Sequence, residues 1–215
     1  MSTKLNLRIH SVKCVDETGG WAERFGNDEI YLGGFTVDAG NRSQKIAATS
    51  VYADFDDGDI KKFNPPKVFA TYSLGPAFNK PRNYVAGFLL IEKDSGDMNT
   101  AVTAVYNALR DQIAKKLRER QSSTVLAGGS SSAVMAIDPA TLVAIWSVVK
   151  PIIYGYVKSK IESWFGDEIF PLQDASVTLL SSDHTFNGQK TSPIAMKEFR
   201  GHEGVYQLYY DWQLQ

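Results

Sequence analysis

The sequence predicts an α+β fold that is mainly β: an eight-stranded antiparallel β-sandwich with an inserted two-helix hairpin. Three observations lead there. Short runs alternating polar and apolar residues recur in both outer parts of the chain; clusters of Gly, Pro, Asn and Asp separate them; and the middle of the chain instead repeats apolar residues at helical spacing. The 215 residues read as a single domain, 1–215, with the sandwich formed by 4–94 and 174–214 and the hairpin inserted at 97–166.

The first strand, 4–14, alternates through Leu5, Leu7 and Ile9 and then shifts phase to Val12 and Cys14, which predicts a half-buried strand with a bulge. Strands follow at 28–38, 43–53, 67–74 and 83–92, and after the insertion at 174–182, 192–199 and 204–214. The last places Tyr206, Leu208, Tyr210 and Trp212 on one face, an aromatic surface suited to a core or, if exposed, to sugar binding. Eight such strands suffice for two packed antiparallel sheets.

Within the insertion, Val102, Val105, Leu109, Ile113 and Leu117 form one stripe of an amphipathic helix over 98–121. A Gly/Ser-rich joint follows. Asp138 and Pro139 then mark a helix start, as N-cap and first-turn proline. The second helix, 139–157, carries one charge, Lys150, and is apolar on nearly every side. Its length approaches the ~20 residues that cross a bilayer, yet Pro151 would kink it and a mid-span lysine is costly. Core helix, oligomer interface and membrane contact are the three readings, with Leu142, Trp146, Val149 and Ile153 as contact residues in the last two.

Composition excludes several classes. With 43% hydrophobic and 22% charged residues the chain is not a disordered polymer. A net charge of −1, with dispersed Lys and Arg, argues against nucleic acid. The lone Cys14 rules out an intramolecular disulfide and any multi-cysteine zinc site. The N-terminus lacks a basic segment followed by an apolar core, so the expected location is cytoplasmic, or outside the cell without a classical signal peptide.

If each strand crosses the sandwich once, the connections sort by parity. Loops 15–27 and 54–66, the excursion from 93 to 173 and the turn 200–203 share one end, whereas 39–42 and 75–82 share the other. The first end then collects Asp16, Glu17, Asp28, Asp54, Asp56, Asp57 and Asp59, joined by Asp94, Asp97, Asp167 and Glu168 from the roots of the hairpin. So many carboxylates repel one another, and a hard cation with oxygen ligands is one remedy; calcium suits such ligands better than zinc. Solvated acidic turns are the other reading. An internal echo, FGNDEIYL at 25–32 and FGDEIFPL at 165–172, predicts two strands entered from that same end.

The stretch from Asp16 through Gly26-Asn27-Asp28-Glu29-Ile30-Tyr31 resembles the Gly-Ser-Asp-x-Tyr turn of C2 domains, and Asp54-Phe55-Asp56 is similar to their Asp-x-Asp loop. The resemblance implies calcium held by aspartates of neighbouring loops, with Trp21 and Phe25 as apolar tips touching lipid. Two residues separate Asp28 from Tyr31 where that family has one, and the family carries no such helical hairpin.

His10, His184 and His202 stand in no catalytic pattern, and neither a nucleophile elbow, a phosphate loop nor a zinc-protease motif is present. The expectation is a non-enzyme: a calcium-associated binding module that docks to a membrane surface or a protein partner. Two alternatives stand beside it. One is a small pore-forming or toxin-like protein whose hairpin, 98–165, inserts in membranes; the other is a structural subunit that assembles as a homo-oligomer through its apolar helix.

Overall fold

A computed structural model describes residues 2–18, 28–38, 43–93, 99–100, 102–112, 115, 147–148, 150–152, 154–155 and 168–215. Nine strand segments occupy eight positions in two antiparallel sheets. These are β1 (Lys4–Asp16), β2 (Asp28–Asp38), β3 (Ser43–Phe55), β4 (Ile60–Ser73), β5 (Arg82–Glu92), β6 (Glu168–Ile169), β7 (Gln173–Leu179), β8 (Ala195–Gly201) and β9 (Gly204–Leu214). One sheet runs β4-β1-β9-β8. The other runs β3-β2-β5, and β6 and β7 share the next place along β5, interrupted at 170–172.

Alternation in β1 shifts at three irregularities in its pairing with its two neighbours, which keep Leu5, Leu7, Ile9, Val12 and Cys14 all fully buried despite the change of phase. The aromatic face of β9 points inward: Tyr206, Leu208, Tyr210 and Trp212 pack between the sheets with Phe55, Phe88 and Phe170. Strand β5 is buried on both faces, which explains its nearly continuous apolar run. Its inner side chains Tyr84, Ala86, Phe88 and Leu90 enter the inter-sheet core. Its outer side chains Val85, Leu89 and Ile91 form a second core with Phe35 and Val37 of β2 and with Val102, Val105 and Leu109.

Those last three belong to the helix α1 (102–112), which lies on the outer face of the second sheet. Tyr106 donates to the carbonyl of Ser43 at 3.1 Å and Lys45 donates to Thr103 at 2.9 Å, fastening α1 to β3. A Cβ on Gly33 would stand 3.0 Å from both the Ala48 backbone and Val102, so this glycine sets how closely helix and sheet approach. Helical conformation recurs at 147–148, 150–152 and 154–155, here α2. Ile113 and Leu117 of the predicted first helix and the Gly/Ser joint lie outside the described residues.

The largest departure from the expected boundaries is at β4. Strand β4 begins at Ile60 rather than at 67, because Pro65 and Pro66 interrupt the sequence pattern without ending the strand. The prolines are tolerated because β4 is an edge strand, and its register jumps there, from Ile9↔Lys67 to Ser11↔Lys62. The connection between β3 and β4 is consequently a tight turn at 56–59, not a loop over 54–66, and Asp54 lies within β3.

Candidate functional site

Register places the connections at the poles. Asp28 pairs with Phe55, Ile30 with Glu92, Glu92 with Glu168 and Asp16 with Val205, so β1–β2, β3–β4, both roots of the excursion and the β8–β9 turn share one pole. The FGNDEI and FGDEI echo has a spatial meaning: Ile30 and Ile169 flank the end of β5 on opposite sides, entering their strands in the same direction.

At this pole the β3–β4 turn is bonded onto β1. Cys14 donates its N–H to the Asp59 carbonyl at 2.9 Å, and Gly58 donates to the Cys14 carbonyl at 3.2 Å. Gly58 has φ 86°, a conformation glycine adopts without the steric cost of a Cβ. Asp57 accepts the Glu17 N–H at 2.8 Å, Asp56 accepts the Asp57 N–H at 2.8 Å, and Asp59 accepts the Asp56 N–H at 3.3 Å. Asp16, Glu17, Asp56, Asp57 and Asp59 are thus brought to one surface, and backbone N–H groups supply part of the positive potential their crowding requires. Asp54 is exposed on β3.

Asp28 differs from the other six. It is 4% exposed, and accepts from the Thr18 N–H at 2.9 Å, from the Thr18 hydroxyl at 2.8 Å and from the Tyr206 hydroxyl. Three donors on a buried carboxylate make an internal anchor between β2, β9 and the segment that follows β1. Burial, and then the bond to Asp28, pushes the Tyr206 phenol far above its ordinary range. Burial likewise pushes the Cys14 thiol up to about 12, with the charges of Asp28, Asp57 and Glu17 acting in the same direction. Cys14 is therefore an inert buried group. Among the described residues no three His, Cys, Asp or Glu side chains are grouped so as to hold a metal ion. Asp167, Trp21, Phe25, Leu142, Trp146, Val149 and Ile153 lie outside the described residues, and Glu168 is placed as a strand residue in β6.

The turn histidine His202 has φ 52° and Glu203 has φ 65°. The His202 ring packs edge-on against Phe170, with Nε2 3.2 Å from the Ile169 carbonyl, so it ties the β8–β9 turn to the end of β6. The sequence reading missed a second polar group, on the outer face of the first sheet. Asp211 is only 2% exposed there; Arg8 grips it with two bonds of 2.8 and 2.6 Å, and His10 Nε2 stands 2.9 Å from the same carboxylate. The register pairing Arg8 with Asp211 is the signal, legible only once β1 and β9 are known to be neighbours.

On α2, Lys150 reaches Asp174 of β7 at 2.8 Å, which seats one side of the helix on the sandwich. Val148, Pro151, Ile152 and Gly155 are exposed, at the i, i+3, i+4, i+7 spacing of a single helix face. No helix among the described residues is long and apolar enough to cross a membrane. The chain matches no family model, no curated protein and no solved structure.

Proposed function

We propose that the protein is a non-catalytic binding module that docks on an anionic membrane surface through its helical excursion, next to the acidic pole. The carrying observation is the exposed apolar face of α2, where Val148 is 47% and Ile152 44% exposed while Lys150 is tied back to Asp174. An apolar helix face presented outward from a rigid platform is suited to the headgroup boundary. Charge agrees with this choice of surface: residues 98–165 contain eight Lys and Arg against four Asp and Glu, a net +4 within a chain of net −1.

Calcium enters this reading through the C2 resemblance alone, as a bridge from individual carboxylates of the pole to anionic headgroups, because no three described carboxylates are grouped as a metal site. The test is co-sedimentation with phosphatidylserine-containing and with pure phosphatidylcholine vesicles, each in calcium and in EGTA. Binding to the anionic vesicles is expected, and the exposed-face variant Val148→Asp with Ile152→Asp should abolish it. Failure of the folded protein to sediment with either vesicle would overturn the reading. Loss of binding in EGTA supports the calcium bridge, and equal binding in both buffers removes calcium alone. Release of an entrapped dye would favour the pore-forming alternative, and a defined oligomer by light scattering in the absence of lipid would favour assembly.

A further inference from the structure

Strands β3 and β4 are consecutive, but they lie in different sheets. Beyond their shared turn they diverge, and the flank of the sandwich between them is left open. The jump in β4 register opposite His10 falls on the same stretch, between Lys62 and Lys67. A cavity of about 130 Å³ results, floored by Ile9 and Leu32 and walled by Ile46, Phe63 and Phe69. The hollow opens to solvent past Ala47, Thr49 and Val68, and its apolar walls give water few partners.

One cation stands in the lining. Lys67 of β4 crosses the rim to donate to the Thr49 hydroxyl of β3 at 2.8 Å, with its ammonium 5.8 Å from the centre of the Phe63 ring. Among the described residues no carboxylate is paired with it. A hollow with apolar walls and a single ammonium at its mouth is complementary to a molecule with an apolar tail and one negative head.

We propose that the flank between β3 and β4 is a binding site for a small apolar monocarboxylate, its tail between Ile46, Phe63 and Phe69 and its carboxylate on Lys67. The volume admits a tail of roughly six non-hydrogen atoms, since a hollow of about 150 Å³ accommodates benzene. Burial lowers the Lys67 pKa, and a bound carboxylate would oppose that shift by favouring the ammonium. Strand β3 is one edge of its sheet, whereas Lys150 seats α2 on β7 at the other edge, so the site is separate from the α2 face proposed for vesicle docking.

The experiment is a titration of the full chain with hexanoate, followed by amide chemical shifts, with hexanol and hexylamine as matched probes. Hexanoate should produce saturable shifts centred on Ile46, Thr49 and Lys67. Lys67→Met, which keeps an unbranched apolar stem, should weaken hexanoate by about tenfold or more while leaving hexanol unchanged. Ala47→Phe, a substitution at the exposed rim, should block both molecules while preserving the fold. The proposal is overturned by absent or non-saturable shifts, by hexylamine binding as well as hexanoate, or by equal hexanoate affinity in wild type and Lys67→Met. It is also overturned if the same amides shift with protein concentration alone, which would make a second copy of the chain the occupant.

Discussion

Asp28 and Tyr206 are 178 positions apart and meet in the interior. Removing the phenolic hydroxyl with Tyr206→Phe leaves a buried carboxylate one donor short, and should lower stability by about 1.5–3 kcal/mol in urea unfolding. Asp28→Asn should be similarly harmful, because its amide nitrogen cannot accept from Thr18. Titration of Cys14 adds a pH dependence whose sign is fixed. The unfolded thiol ionises near 9 while the folded one is held protonated to about 12, so stability is complete below pH 9 and declines as pH rises toward 12. Unfolding free energies at pH 8 and pH 10.5 should show a smaller decline for Cys14→Ala than for wild type. Gly34 is more demanding: at φ 155° a Cβ would lie 2.0 Å from the Gly87 carbonyl oxygen on β5. Gly34→Ala should therefore cost about 4 kcal/mol or more, or prevent folding. None of these partnerships could be read from local sequence, although Asp28, Cys14 and Tyr206 each stand out in it.

At the scale of elements, α1 is attached by burial and α2 by charge. Leu109 is fully buried against the second sheet, so Leu109→Ala should lower stability by about 2–5 kcal/mol. Lys150 and Asp174 are a partly exposed pair, and Asp174→Asn should change global stability by no more than about 1 kcal/mol. Its effect should appear locally, as faster amide exchange at 147–155 with β5 unchanged; unaltered exchange there would mean that the ion pair does not hold the helix. The strands were legible because alternation marks a half-buried surface, and the first helix because Val102, Val105 and Leu109 share a face. The long β4 was not legible, since Pro65 and Pro66 look like a strand boundary until the strand is known to be an edge. Segment β6, two residues long, is too short to carry a period at all.

For the whole molecule, the excursion closes one face of the sandwich. Glu92 and Glu168 are cross-strand partners, so a short turn can replace 97–166 without straining the strands it joins. That deletion uncovers Phe35, Val37, Val85, Leu89 and Ile91, and should yield a protein that self-associates or precipitates, as light scattering would report. A monomeric deletion variant with an unchanged melting temperature would instead show that α1 is dispensable to the fold. The sequence by itself determined the strand-rich class, the helical interruption and the pole where acidic connections gather, because alternation, helical spacing and the parity of reversing strands are properties of a chain read in order. Only the tertiary structure decided that Asp28 is an internal anchor among these carboxylates, that Lys150 seats α2 with its apolar face outward, and that β3 and β4 part around a hollow capped by Lys67. Each depends on a distance between residues remote in sequence or on the divergence of two sheets, and neither quantity is encoded in any single segment.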